Sequence, residues 1–172
     1  MKIVVLQGSP RPAGNTARLV SKFKEGAESA GHEVEVLNVG TMKISGCIGC
    51  DYCQGAGAGE CAIKDDMQKV YASLADAEMV VFASAVYYWS MTAQLQATLT
   101  RFYSIEHPAK ATKYAVIVTS ASPGVYDAIK SQFADVIDYF EAENVGMLTA
   151  FGDERTSESK LNEAFEFGKM CK

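Results

Sequence analysis

The sequence lacks any cluster of basic residues. Its 16 Lys and Arg residues are outnumbered by 21 Asp and Glu residues, and the formal net charge is −5. Nucleic acids and anionic membrane surfaces are polyanions, and binding them usually requires a basic patch. We therefore expect neither a nucleic-acid partner nor a membrane partner.

Long apolar runs are missing as well. The first one, IVVL at 3–6, gives way at once to the polar stretch QGS, so it is far too short for a signal peptide or a membrane span. We therefore expect a cytoplasmic protein. With 172 residues, 48% of them apolar, and no repeat or low-complexity tract, the chain is expected to form one domain over 1–172.

Short apolar segments alternate with amphipathic ones. This alternation predicts five strands and five helices, and hence a doubly wound parallel α/β sheet with helices on both faces. Ligands of such sheets bind at the carboxyl ends of the strands, which makes the loops after strands one, three and four candidates. The strands are predicted at about 3–6, 34–37, 79–83, 114–119 and 145–151, and the helices at about 15–27, 65–74, 91–103, 129–140 and 157–170.

Several phosphate-handling signatures are absent. No G-x-x-x-x-G-K-[ST] motif is present, and no G-x-G-x-x-G opens the first helix, which argues against nucleoside triphosphates and dinucleotides. A phosphatase of this architecture would need a cysteine nucleophile where Gln7 stands. A phospho-accepting receiver would need acidic residues directly after strand one, and the chain has none there.

The segment GSPRPAGNT at 8–16 lies between the first strand and the first helix. Free N–H groups and the helix dipole favour an anion at such a position. The hydroxyls of Ser9 and Thr16, the Asn15 amide and the Arg11 charge add donors for a phosphate. The alternative is an ordinary turn in which Asn15 or Thr16 caps the helix.

Three consecutive aromatic residues, Tyr87, Tyr88 and Trp89, follow the third strand. They cannot all face one core, so at least one is expected to line a cavity or an interface. A flat ring with a polar edge would suit this loop. Packing at a dimer interface is the alternative.

Four of the five cysteines, Cys47, Cys50, Cys53 and Cys61, lie in the segment CIGCDYCQGAGAGEC. In a reducing compartment such a group indicates metal ligation or redox chemistry. The compact spacing suits a cubane cluster better than structural zinc, which usually takes two separated Cys-x-x-Cys pairs. Zinc, a redox-active dithiol or disulfide, and an empty site stay open. Cys171 is interpreted as a packing or surface residue.

Two charged stretches are interpreted as structural features rather than as catalytic sites. Asp65 and Asp66 are interpreted as carboxylates that favour the start of a helix. The stretch 153–155, DER, is interpreted as a solvated loop before the last helix.

Three motifs together resemble the flavodoxin-like NAD(P)H-dependent FMN reductases, and among these the iron-sulfur flavoproteins. They are GSPRPAGNT after strand one, CIGCDYC with Cys61 and the following DDM, and AVYYWSMTAQL after strand three. The resemblance covers about residues 1–124. It implies a flavodoxin-like sheet of order 2-1-3-4-5, with a cysteine-rich insertion at about 45–64. It also implies FMN as cofactor, NAD(P)H as transient hydride donor, and a small-molecule or protein electron acceptor.

The resemblance further implies the site residues, while the flavin itself carries the chemistry, so that no catalytic acid or base is expected. Ala85 replaces the proline of the family's usual Pro-x-Tyr segment, and Gln96 and Thr100 stand where Lys and Asp are frequent, although Arg101 remains. The implied FMN contacts are Ser9, Arg11, Gly14, Asn15 and Thr16 around the phosphate, Ala85, Val86, Tyr87, Tyr88 and Trp89 beside the ring, and Ser120, Ser122 and Gly124 on its other side. The implied [4Fe-4S] ligands are Cys47, Cys50, Cys53 and Cys61.

Members of this family often complete their flavin sites with a neighbouring subunit. The resemblance therefore implies a homodimer or homotetramer, with the helix that carries Leu95, Leu99 and Phe102 as a candidate association face. Two other functions stay open on the same fold. One is a non-enzymatic electron carrier, and the other is a cysteine-based redox or metal sensor.

Overall fold

The computed structural model describes residues 1–171, which contain a single five-stranded sheet. The strand order is 2-1-3-4-5 and every pairing is parallel, which confirms the predicted fold. The strands are β1 (Lys2–Gln7), β2 (Glu33–Leu37), β3 (Met79–Ala85), β4 (Lys113–Ser120) and β5 (Glu143–Phe151).

Within residues 1–171, five α-helices cover the two faces of this sheet, four of them in the crossovers between strands and the fifth after β5. They are α1 (Asn15–Ser29), α2 (Met67–Leu74), α3 (Ala93–Thr100), α4 (Asp127–Tyr139) and α5 (Glu158–Lys169). Residues of α2, α3 and α4 pack into one apolar core, and residues of α1 and α5 pack into the other.

The central strands are apolar except near their ends because both of their faces are buried. In β1, Val4 and Leu6 enter the core beneath α2–α4, whereas Ile3 and Val5 enter the core beneath α1 and α5. This division follows from the alternation of side chains along a strand. The loops that leave β1, β3 and β4 consequently start side by side at one sheet edge.

Two local expectations are wrong. Neither Asn15 nor Thr16 caps α1, because Gly14 occupies the N-cap position and no side chain caps the helix. On the helix expected to form an association face, Leu95 and Phe102 are 0% and 2% exposed and belong to the core, so these two side chains are not available to a partner, whereas Leu99 is half-buried. The helix predicted over 91–103 is divided into α3, capped by Thr92, and a short 3-10 helix, Arg101–Ser104.

Two further features bear on the expectations from sequence. Cys171 is 1% exposed and packs in the core beside α5, so it is a packing residue. Among residues 1–171, no helix combines the length and the hydropathy needed to cross a bilayer.

Candidate functional site

A cleft of about 190 Å³ opens at the carboxyl edge of the sheet, between the N-terminus of α1 and the ends of β3 and β4. All five residues predicted around a phosphate contribute to it. Its lining consists of Ser9, Arg11, Gly14, Asn15, Thr16, Ala85, Val86, Tyr87, Thr119, Ser120, Ala121 and Arg155.

The N-terminus of α1 in this cleft lacks any internal counter-charge. Gly14 at the N-cap makes no side-chain cap, and the first turn contains no acidic residue. The first N–H groups of a helix need acceptors, and the dipole of this 15-residue helix adds positive potential at the same place. The position therefore suits an anion.

The loop that supplies Ser9 is fixed to the sheet by short hydrogen bonds. The Gly8 amide donates to the Ala83 carbonyl at 2.8 Å. The Gly8 carbonyl accepts from the Thr92 hydroxyl at 2.7 Å. The Ser9 amide donates to Gln7 Oε1, also at 2.7 Å. Because strands β1 and β3 and the cap of α3 all hold this loop, the cleft is formed before any ligand enters.

Thr119 at the end of β4 also belongs to the cleft, although the sequence analysis did not include it. Its hydroxyl lies 2.7 Å from that of Thr16, and both side chains are buried. The bond joins the first turn of α1 to the sheet and leaves each hydroxyl further hydrogen-bonding capacity. The available signal was a polar residue at the end of an otherwise apolar strand.

A second cleft of about 230 Å³ adjoins the first, and the two share Val86, Ser120 and Ala121. Tyr88, Trp89 and Ser122 line it, while Tyr87 lines the first cleft. The predicted ring-binding residues are thus brought beside the predicted phosphate-binding residues. Gly124, with a left-handed φ of 71°, lines neither cleft.

The aromatic residues occupy a strained turn. Tyr87 and Ser90 exchange two backbone hydrogen bonds of 3.0 Å, and between them Tyr88 and Trp89 have φ values of 49° and 59°. Non-glycine residues in the left-handed region cost roughly 1–3 kcal/mol each. The turn leaves the Tyr88 side chain 95% and the Trp89 side chain 58% exposed, so no burial offsets this strain.

The loop after β4 is held by the Ser120 hydroxyl. This hydroxyl donates to the Ser122 carbonyl at 2.6 Å and lies 2.6 Å from the Tyr126 hydroxyl. Ser120 is 5% exposed and borders both clefts. Its role is to fix the wall that the two clefts share.

The cysteine segment, residues 45–64, lies apart from these clefts. Cys47 and Cys50 are exposed, and Cys53 and Cys61 are half-buried. Within residues 1–171, no three Cys, His, Asp or Glu side chains are close enough to hold a metal ion. The structure therefore does not bring the four predicted ligands together.

A buried arginine anchors both ends of the cysteine segment. Arg101, 1% exposed, donates from Nη1 to the Ser45 carbonyl and from Nη2 to the Ile63 carbonyl, each at 3.0 Å. Nη1 also lies 3.0 Å from an oxygen of Asp65. The expectation that Asp65 merely favours a helix start was incomplete, because its carboxylate neutralises this cation.

The environment of Asp65 stabilises its charged form. Burial alone would raise the pKa of this carboxyl. Hydrogen bonds from the backbone amides of Ser45 and Met67, together with the Arg101 guanidinium, outweigh burial and lower the pKa below its ordinary value of 3.8. The ion pair thus persists throughout the neutral range.

A larger cavity, of about 590 Å³, lies at neither of these two clefts. It is found between the end of α3 and α4, where Leu99, Phe102, Val136 and Phe140 form apolar walls. Gln54 of the cysteine segment lies at its border. None of the predicted cofactor contacts lines it.

Comparison with known proteins identifies the family. The profile of the NADPH-dependent FMN reductases matches residues 1–154. The chain belongs to this family. Its members use FMN and NAD(P)H, so the protein is an NAD(P)H-dependent flavin oxidoreductase, and the suspected resemblance is confirmed.

Individual relatives of this FMN reductase family member support the same assignment. An iron-sulfur flavoprotein of Archaeoglobus fulgidus is 32% identical, over 96% of this chain and 81% of that protein. One of Methanocaldococcus jannaschii is 33% identical over 59% of this chain and 51% of that protein, so this chain spans only about half of the second relative. The solved NAD(P)H:quinone oxidoreductase of Methanothermobacter marburgensis has the same fold, with a TM-score of 0.79, 17% identity, and coverage of 98% and 96% of the two chains.

Proposed function

We propose that this protein binds FMN with its phosphate at the N-terminus of α1 and its ring in the adjoining cleft beside Tyr88 and Trp89. It takes hydride from NAD(P)H and passes the electrons to a quinone, a flavin or a protein acceptor. The observation that carries the proposal is the uncapped first turn of α1, which opens into a preformed cleft lined by hydroxyls and two guanidinium groups.

The residues of the first cleft supply what a phosphate requires. Ser9 and Asn15 offer a hydroxyl and an amide, and the first turn of α1 offers backbone N–H groups. Arg11 is exposed and adds positive charge from the rim. Together these groups hold the cofactor by its charged end.

The residues of the second cleft orient the ring. Tyr88 and Trp89 offer aromatic surface, and their backbone amides make no hydrogen bond within residues 1–171, which leaves them available to the polar edge of a flavin. The Val86 amide is already used, since it donates to the Thr119 carbonyl at 2.8 Å. Val86 therefore contributes its side chain rather than its N–H.

FMN, when bound, supplies the hydride and electron chemistry. Among the residues that line the two clefts there is no His, Asp or Glu. The residues described around the two clefts therefore bind and orient the cofactor and partly exclude water from it, rather than transfer protons.

Titration of apoprotein with FMN tests the phosphate site. The double variant Ser9→Ala/Thr16→Ala should bind FMN about tenfold more weakly or worse, because it removes two hydroxyl donors to a charged group. The matched control Thr112→Ala/Ser159→Ala alters two exposed hydroxyls outside the clefts and should bind like the parent. Equal FMN affinity in all three proteins would contradict the proposal.

Steady-state turnover separates the enzyme from an electron carrier. The proposal expects continuous NADH or NADPH oxidation by the FMN-loaded protein when an artificial acceptor such as a benzoquinone is present. A carrier would bind FMN but leave NAD(P)H unconsumed. The same assay with each nucleotide gives the donor preference, and a series of quinones and free flavins gives the acceptor class.

We further propose that Cys47, Cys50, Cys53 and Cys61 ligate a [4Fe-4S] cluster, which would supply one-electron transfer. The chemistry of the donor set supports this, because four thiols lie in one segment and N–H groups of Gly49 and Gln54 approach the sulfurs of Cys47 and Cys53 at 3.4 and 3.7 Å. The name of the Archaeoglobus relative supports it as well. Since the four thiols are not gathered within residues 1–171, ligation would have to draw the segment together.

Iron and acid-labile sulfide assays on anaerobically prepared protein test the cluster. Cys50→Ser should lower both contents, whereas the buried Cys171→Ser should leave them unchanged. Zinc without sulfide would support a structural metal instead. If Cys50→Ser altered only the oligomeric state, measured by light scattering, the sensor hypothesis would gain support. The same measurement tests the predicted homodimer or homotetramer.

A further inference from the structure

Arg155 is a cation of the first cleft that comes from an unexpected part of the chain. The other cleft residues follow β1, β3 and β4, or end those strands, whereas Arg155 follows β5. The family profile ends at residue 154, so this side chain lies just beyond the matched region. The sequence analysis interpreted its surroundings as a solvated loop.

The backbone of the short 3-10 helix Gly152–Thr156 directs Arg155 toward the cleft. Gly152 turns the chain at the end of β5 with a left-handed φ of 50°. Arg155 Nε then donates to the Gly152 carbonyl. This bond fixes the guanidinium near its own backbone and leaves its two terminal amino groups for another acceptor.

No internal anion uses those amino groups. Among residues 1–171, no carboxylate oxygen lies within 4.0 Å of the Arg155 guanidinium. The adjacent Glu154 carboxylate is engaged elsewhere, since it accepts the Phe151 amide at 2.8 Å. A half-buried, unpaired guanidinium beside an uncapped helix N-terminus creates a concentrated positive potential.

We propose that Arg155 is a phosphate-binding residue that makes the protein select FMN over the unphosphorylated flavin, riboflavin. Arg155 is held by its Nε bond and is partly shielded from water, whereas Arg11 is exposed. An arginine fork with two free amino groups can bind a phosphate through two parallel hydrogen bonds. This inference rests on the proposed function, because it concerns the same cleft.

The experiment compares FMN and riboflavin binding to apoprotein by quenching of flavin fluorescence. Arg155→Met should weaken FMN binding about ten- to a hundredfold, the usual range for loss of hydrogen bonds to a charged group. Riboflavin binding should stay within about twofold, because riboflavin lacks the phosphate. Arg155→Lys should recover part of the lost FMN affinity. The difference in FMN affinity that remains between Arg155→Lys and the parent should shrink at high salt.

Controls separate the possible failures. Arg18→Met removes a cation from an exposed position of α1 outside the cleft and should bind both flavins like the parent. Equal losses for FMN and riboflavin in Arg155→Met, or no loss at all, would overturn the role of Arg155 while FMN binding by the parent protein still stands. If the parent itself bound no FMN, the proposed function would fail and this inference with it.

Discussion

The loops around the two clefts proposed for FMN and the cysteine segment both carry groups suited to redox cofactors, but the chain holds them differently. Hydrogen bonds from two strands and a helix cap fix the start of the loop after β1, at Gly8 and Ser9. The cysteine segment is anchored at its two ends by Arg101 and Asp65 and at a few points between them by hydrogen bonds to Thr100 and Tyr103, and most of its residues are exposed.

This difference indicates two ways of making a site. The two clefts proposed for FMN are preformed, so binding of the cofactor there would not bear the cost of ordering the start of the loop, which favours affinity. The cysteine segment has backbone turns and a few hydrogen bonds to the rest of the chain but buries few side chains, an arrangement that leaves the positions of its thiols to a ligand. Each prediction below either alters one region while sparing the other or measures how strongly each is held.

Loss of the arginine anchor should have the largest effect. Arg101→Ala removes a side chain that is 0% exposed and leaves Asp65, whose side chain is 13% exposed, without its cation. Removing one partner of a buried ion pair typically costs about 3–5 kcal/mol in the free energy of unfolding. Urea denaturation measures this loss, and limited proteolysis should show faster cleavage within 45–64 than elsewhere in the chain.

The control for that substitution is Arg18→Ala, which removes an exposed arginine from α1. Its free energy of unfolding should change by no more than about 0.5 kcal/mol. If Arg101→Ala accelerated cleavage uniformly along the chain, the arginine would support the whole core rather than the cysteine segment, and the proposed contrast between the two regions would be wrong.

Two glycine substitutions compare the regions directly. A Cβ on Gly40 would lie 2.2 Å from the Ser9 carbonyl oxygen, whereas a Cβ on Gly49 in the cysteine segment would meet nothing within 4 Å. Gly40→Ala should therefore displace the Ser9 loop, destabilise the fold by about 1–3 kcal/mol and weaken FMN binding about tenfold. Gly49→Ala should cost only about 1 kcal/mol for its left-handed φ of 63°.

FMN titration and urea denaturation of both variants measure these effects. Unchanged FMN affinity in Gly40→Ala would mean that the Ser9 loop adapts easily, contrary to a preformed cleft. A large loss of FMN affinity in Gly49→Ala would mean that the two regions are not independent.

Acid should loosen the cysteine segment through Asp65. The folded-state pKa of this carboxyl is lowered below its ordinary value of 3.8, so its charge stabilises the fold above that pH. The contribution is lost as the pH falls through the folded-state pKa. The free-energy difference between the parent and Asp65→Asn should be constant above about pH 5 and should shrink below pH 4. A difference that stayed constant down to pH 3 would contradict this. Asp138→Asn, at an exposed position of α4, provides the control.

Sequence patterns predicted the fold because its determinants are local. The buried strands are continuous apolar runs, and the helices carry apolar residues at helical spacing, so the order of elements followed directly. The loop motifs also predicted which segments meet at the sheet edge, because parallel strands place their carboxyl ends together.

Long-range contacts could not be predicted in the same way. The pairing of Arg101 with Asp65 and the approach of Arg155 to the first cleft join residues far apart in sequence. A charged residue in a polar stretch resembles a solvated one until the packing is known. The burial of Leu95 and Phe102 could not be predicted for the same reason, because their apolar character does not show which part of the chain covers them.

The smallest expected effect is a gain in stability at the aromatic turn. Asn-Gly is the preferred central pair where both turn residues have positive φ. The double variant Tyr88→Asn/Trp89→Gly should therefore relieve strain at φ 49° and 59° and raise the free energy of unfolding by about 1 kcal/mol.

The same variant removes the aromatic surface of the second cleft, so FMN should bind more weakly while inorganic phosphate competes for the first cleft as before. As a control, Tyr139→Asn changes an exposed aromatic residue elsewhere in the chain and should leave FMN affinity unchanged. If the double variant were both less stable and equal in FMN affinity, the strain at this turn would have no functional explanation in flavin binding.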